Sequence, residues 1–437
     1  MSSVVTRLRL PGSGRQAFAY GGLVLFTILL YLRPNELLPI GTFPIVRIVA
    51  LVTLAAFFVD QLTARRPLSV LPWELKLLLA FAGLMLLAIA MGLDPVTSFN
   101  GFTNEFLKVL LIFILMVNVV TSFDRLSRLV QVTILCGTAI AVGTLVEFAR
   151  GTNLVHGHRA TGFVGGIFGN PNDLALALNI LLPIALGLAL SRTAPGSKLL
   201  YWICTGLLGL GVVVTYSRAG FVTLAMVGLA LLWRLRRRYP ALLPIGAVAA
   251  LALVLLAPGS FWNRIFTIFD ASSDPSAAQS SELRWALLRR SIEVAGFNPQ
   301  RWLFGVGMYN FHIVSVHELA QHNAYLQVFN EVGLPALIVY VAFIASIIQR
   351  MGRLAKACEG VRAYRPVWTM AVTLQISVIA YAVGSFFAPV PFLWYLYYPA
   401  GFAVCLRQVV VASRRAREVA PPQESPGRVW YLRRAQQ

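Results

Sequence analysis

The sequence predicts an all-α integral membrane protein of about twelve transmembrane helices with one large extramembrane loop, and three observations carry that prediction. Hydrophobic residues make up 58% of the 437-residue chain and charged ones only 12%, with a mean hydropathy of +0.72, outside the usual composition of soluble globular domains. Apolar runs of roughly the 17–25 residues needed to cross hydrocarbon as a helix recur along the chain. Of the 37 Lys and Arg residues, 24 gather in short clusters that follow every second run.

The runs cover 17–32, 43–60, 72–92, 105–121, 129–149, 172–191, 199–216, 220–233, 241–257, 332–349, 367–387 and 393–411. Helix is the required form, because an open strand leaves backbone groups unpaired in lipid and these runs exceed the length of barrel strands. The first run is read as a retained span, since no small-residue cleavage site separates it from Arg33-Pro34-Asn35-Glu36. The run at 220–233 is short, so either Tyr216-Ser217-Arg218 dips into the membrane or Arg234 snorkels to extend it. Four stretches result: helices one to nine over 1–257, a large loop over 258–331, helices ten to twelve over 332–411, and a basic tail over 412–437.

The formal charge of +20 is distributed in a way that removes one class of function. Clusters such as Arg65/Arg66, Arg125/Arg128, Arg234/Arg236/Arg237/Arg238 and Arg414/Arg415/Arg417 share one side of the alternating topology. That side is cytoplasmic by the positive-inside rule, with both termini on it. The basicity therefore records topology, and no nucleic-acid partner is expected. Cys136, Cys204, Cys358 and Cys405 form no CxxC pair and avoid the large loop, so neither a disulfide nor a cysteine-bound metal is implied.

Two connections on the opposite, outer side are long enough to carry function. The first, 150–171, holds Arg150, His156, His158, Arg159 and the stretch Phe168-Gly169-Asn170-Pro171-Asn172-Asp173. The second, 258–331, has a small, polar middle at Asp270–Gln279 that reads as flexible. From Ser280 the pattern turns helical, with Leu283, Leu287, Leu288, Ile292 and Ala295 on one face. Ser280 or Ser281 with Glu282 supplies a start signal, and such a helix lies along the membrane surface.

Three constellations at this face carry chemistry. Arg218, in Thr215-Tyr216-Ser217-Arg218-Ala219-Gly220, either snorkels to lipid phosphate or grips an anion, and its planar fork matches phosphate oxygens. Arg284, in Ser281-Glu282-Leu283-Arg284-Trp285, is a solvated charge alone but a second arm around a pyrophosphate beside Arg218. His322, in Gln321-His322-Asn323-Ala324-Tyr325-Leu326-Gln327, stands where the large loop returns to the membrane. An imidazole there can take a proton from a hydroxyl. Gly305-Val306-Gly307 reads as a turn, since no βαβ unit surrounds it. His156 and His158 lack further ligands nearby, and Asp94, Asp270 and Asp274 form no Asp-x-Asp pair, so no metal or other cofactor is expected.

In order and spacing, Gly169-Asn170-Pro171-Asn172, Tyr216-Ser217-Arg218-Ala219-Gly220, Arg284-Trp285, Leu303-Phe304-Gly305-Val306-Gly307 and His322-Asn323-Ala324-Tyr325-Leu326 resemble the O-antigen ligase and polymerase superfamily. The resemblance implies a membrane glycosyltransferase of GT-C-like architecture in the bacterial inner membrane, with its active site and large loop facing the periplasm. It implies inverting, metal-independent transfer of O-antigen glycan from undecaprenyl pyrophosphate to the lipid A core oligosaccharide. It places Arg218 and Arg284 on the donor's pyrophosphate and His322 in the essential histidine position, with Asn170, Asn172, Arg289, Asn323 and Tyr325 as further substrate-binding candidates. Arg33-Pro34-Asn35-Glu36 also resembles a subgroup of O-glycosylation ligases, which leaves a polymerase or a protein O-oligosaccharyl ligase as alternatives. A lipid-linked sugar transporter is the rival from another class. Its polar groups are expected in interrupted helices at the midplane, whereas the candidates here gather at one face.

Overall fold

The computed structural model describes residues 16–37, 43–155, 157–268, 270, 275–296, 298–315 and 321–419. His156, Asp274, the amino-terminal arginines and most of the basic tail lie outside that range. Among the described residues, ten helices are long and apolar enough to cross a membrane. The other two expected runs are shorter: α1 (Ala17–Leu32) has 16 residues, and α9 (Leu242–Leu256) has 15 and turns by 104° into a second helix.

The remaining long helices are α2 (Ile45–Thr63), α3 (Trp73–Met91), α4 (Pro95–Val119), α5 (Phe123–Arg150), α6 (Pro171–Ser191), α7 (Pro195–Val214) and α8 (Arg218–Leu235). After the α9 bend come α10 (Gly259–Phe266), α11 (Pro275–Ala295), α12 (Pro299–Phe304) and α13 (Ala324–Val332), then α14 (Leu334–Cys358), α15 (Arg365–Gly384) and α16 (Trp394–Val419). A two-residue pairing of β1 (Leu154–Val155) with β2 (Arg159–Ala160) folds the 151–170 connection back on itself.

Several boundaries differ from the apolar runs, each for a local reason. The fourth span begins at Pro95, ten residues before the run, because the Asp94 carboxylate caps it by accepting from Val96 N and Thr97 N with proline next in line. A π-turn at Phe102–Phe106 then accommodates the polar residues that the hydropathy pattern excluded. Helix α11 takes in all of 275–295, so the described part of the expected flexible stretch is helical and Ser280 and Ser281 lie within the helix.

Helix α6 is the axis of the bundle, with 89% of its apolar window buried against α7, α8 and α15. Its crossing with α8 is close: a Cβ on Gly220 would lie 2.5 Å from the Ala175 side chain, and Asn179 Nδ2 donates to the Gly220 carbonyl at 2.9 Å. Only glycine permits that approach, which places the first turn of α8, carrying Arg218, against the first turn of α6. At the other end of the bundle the buried Glu74 carboxylate holds Arg407 of α16 at 2.7 Å and Arg350 of α14 at 3.3 Å, tying α3 to both.

The connections opposite that clamp interlock. Glu36 accepts from Gly165 N at 2.6 Å and pairs with Arg33, which packs the Arg33-Pro34-Asn35-Glu36 turn against the 151–170 connection. Leu93 N donates to Val306 O, and Ala324 N donates to Ser385 O. Gly305-Val306-Gly307 is a strap docked on the carboxyl end of α13, where Val306 N and Gly307 N donate to Asn330 O and Glu331 O. Gly305 adopts φ 67°, and a Cβ there would lie 2.4 Å from the Glu331 backbone, so this turn demands glycine twice over.

Candidate functional site

The interlocked end of the bundle concentrates arginine. Arg159 leaves β2, Arg218 opens α8, Arg264 sits in the last turn of α10 and Arg284 lies on α11. Burial and then the fields of Arg264, Arg218 and Arg284 push Arg159 down to about 10. Burial and the field of Arg264 also lower Arg284. The fields of Arg264, Arg218 and Arg284 thus all reach Arg159, and such an arrangement stores repulsion that an anion relieves. Among the described residues, Arg159 Nε and Arg284 Nε are buried donors without a hydrogen-bond partner.

The chain builds this cluster from behind. Asn170 caps α6 by accepting from Asn172 N at 2.8 Å, with Pro171 at the first helical position. Asn172 Oδ1 then accepts from Arg159 Nη2 at 3.0 Å and from Ser217 Oγ at 2.7 Å. Ser217 Oγ in turn accepts from Gly220 N at 3.1 Å and so caps α8 immediately before Arg218. One amide oxygen therefore aligns two arginines. Arg218 Nη1 donates to Thr267 Oγ1 at 3.2 Å, joining α8 to the end of α10, while Tyr216, Phe261 and Ile265 form an apolar floor beneath.

A cavity of about 280 Å³ opens beside the cluster, lined by Arg284, Trp285 and Ser291 of α11, by Gln321, His322 and Asn323, and by Leu326, Phe386 and Phe387. It brings two of the three principal candidates into one chamber. The third, Arg218, joins through the arginine cluster and does not line the cavity itself. Burial first and the charge of Arg284 second hold the His322 imidazole below its ordinary value, so at neutral pH it is the free base that can accept a proton.

The turn that carries His322 is anchored on both sides. Asn323 caps α13 by accepting from Tyr325 N at 2.9 Å and Leu326 N at 3.1 Å, while Ala324 N holds the end of α15. Tyr325 donates to Ala382 O at 2.7 Å and packs its ring, tilted, against Phe386 with centroids 4.5 Å apart. Asn170, Asn172 and Tyr325 thus have internal partners that position the site. Asn323 both caps and lines the cavity, and Arg289 is exposed on α11 outside that lining. Two residues of the cluster, Arg159 and Arg264, were not singled out from the sequence. Arg159 was visible only as one charge in a loop, and no spacing rule links the short Phe-Trp-Asn-Arg stretch after α9 to the other arginines.

On the far side of α13, Glu331 is buried, accepts from Gln327 Nε2 at 3.2 Å and has its carboxyl pushed up to about 8 by burial. It is a neutral acid under the strap at neutral pH, and adds no negative charge near His322.

Residues 203–341 match a family model described as O-Antigen ligase, and this supports the O-antigen ligase superfamily. The match takes in Arg218, Arg264, Arg284 and His322, whereas Arg159 and Asn172 lie before it. No curated protein matches the chain.

Proposed function

We propose that this chain is an O-antigen ligase: it transfers O-antigen glycan from undecaprenyl pyrophosphate to the lipid A core oligosaccharide, with inversion and without a metal. The observation that carries the reading is the free-base imidazole of His322 sharing a cavity with Arg284 at the edge of a four-arginine cluster. The guanidinium groups bind the donor's diphosphate and stabilise the charge that grows on it as the anomeric carbon–oxygen bond breaks. His322 takes the proton from the acceptor hydroxyl, whose oxygen attacks the anomeric carbon from the face opposite the departing diphosphate. Fixed charges of this kind need no reorganisation during the reaction, which is why a preformed cluster outperforms water.

The matched family supports a glycan-joining enzyme of ligase or polymerase type, and the ten long apolar helices support a multi-pass membrane setting. In this reading the membrane is the bacterial inner membrane, both termini are cytoplasmic beside the basic clusters, and the 258–331 segment covers the cavity on the periplasmic side.

Purified protein in nanodiscs, given carrier-linked glycan and alternative acceptors, tests this directly. A new conjugate on the lipid A core oligosaccharide is the expected product. Lengthened carrier-linked glycan identifies a polymerase, a glycosylated protein identifies a protein ligase, and unaltered donor with every acceptor overturns the transferase reading.

A further inference from the structure

Gln321 precedes His322, is 2% exposed and lines the same cavity, yet its part in the site is not explained by the donor's diphosphate. Its amide orientation follows from its neighbours. Ser291 Oγ spends its single proton on Leu287 O at 2.7 Å, so that oxygen can only accept from Gln321. The contact at 2.7 Å therefore takes the Gln321 Nε2 donor, which leaves Oε1 as the free end of the side chain. Among the described residues Oε1 has no hydrogen-bond partner, and a buried carbonyl without one is a standing cost.

What satisfies it must be a donor. A diphosphate at neutral pH offers only acceptor oxygens and a polyprenyl chain nothing polar, so the partner is a hydroxyl of one of the two sugars, and the acceptor analogues below tell the acceptor from the donor. A sugar hydroxyl donates, and the adjacent residue is the one placed to deprotonate a sugar hydroxyl.

We propose that Gln321 Oε1 accepts a hydrogen bond from a second hydroxyl of the acceptor sugar, next to the one that reacts, and so selects which hydroxyl His322 meets. Ser291 is the positioning residue that keeps the carbonyl turned to the substrate. A site built to bond a hydroxyl discriminates against the analogue lacking it, because the carbonyl is then buried unpaired.

The inference rests on the transferase reading, and its test separates the two. With carrier-linked glycan as donor, kcat/KM is measured for lipid A core oligosaccharide and for analogues lacking single hydroxyls on the accepting sugar. In the wild-type protein one non-reacting position carries a penalty of about 5–100-fold, the range expected for one buried unpaired acceptor. In Gln321→Leu the native acceptor falls by a similar factor and the penalty at that position disappears, while other positions keep theirs. Binding of a polyprenyl diphosphate by Gln321→Leu, unchanged from wild type, confirms that the variant is folded. Ser291→Ala gives a partial version of the same loss. Penalties identical in wild type and Gln321→Leu overturn the hydroxyl contact while transfer itself stands, and absence of transfer from the wild-type protein overturns both.

Discussion

Replacing His322 with Ala lowers glycan transfer about 10²–10⁴-fold, the usual contribution of a positioned general base, and leaves the folded protein and its grip on the diphosphate in place. The expectation of intact folding comes from the turn itself. The cap of α13 is the Asn323 side chain and the anchor to α15 is the Ala324 backbone, so the imidazole carries neither. The same account fixes the sign of the pH dependence. Burial and the charge of Arg284 depress the imidazole. The wild-type rate therefore holds down through the ordinary imidazole range near 6.5 and is lost only as pH falls through the lowered value. Initial rates of the purified variant, together with a wild-type pH profile, check both points. Transfer by His322→Ala at the wild-type rate removes the imidazole from the chemistry.

Arg284→Gln lowers transfer about 10²–10³-fold, comparable to loss of one preorganised donor to a developing anion. Lysine is a poor replacement, because a point charge on a flexible stem does not reproduce the guanidinium fork. A second readout is specific to this geometry. Removing the positive neighbour raises the His322 pKa, so the acid limb of the residual activity moves to higher pH. A limb that stays in place would show that Arg284 and His322 do not share a field. Binding of a polyprenyl diphosphate, compared with the monophosphate, then shows how much of the loss belongs to donor affinity.

The spans were legible because a run of about 20 apolar residues has few alternatives to a membrane helix, and the register errors trace to caps. Asp94-Pro95 begins a helix in polar sequence, where hydropathy is silent and capping chemistry speaks. Gly333, at φ 98°, separates α13 from α14, and the expected span at 332–349 merged their junction because a single glycine does not interrupt an apolar run. Arg218, Arg284 and His322 were legible as residue types at one face. That Arg284 and His322 share one cavity was not, nor that Arg218 meets Arg284 only through the field on Arg159, since residues so far apart in sequence are joined only by the tertiary fold. Asn170 and Asn172 show the reverse. Their motif marked them for substrate, yet Asn-Pro is also a helix start, and both side chains serve the scaffold that holds Arg159 and Ser217.

The central claim is that a diphosphate sits among Arg159, Arg218, Arg264 and Arg284 within reach of His322. A cryo-electron microscopy structure of the protein in nanodiscs with a carrier-linked glycan diphosphate tests it most directly. The account predicts phosphate oxygens within hydrogen-bond distance of Arg284 and Arg218, with the anomeric carbon turned toward the His322 cavity. A diphosphate bound elsewhere, with those guanidinium groups free of it, would contradict the account.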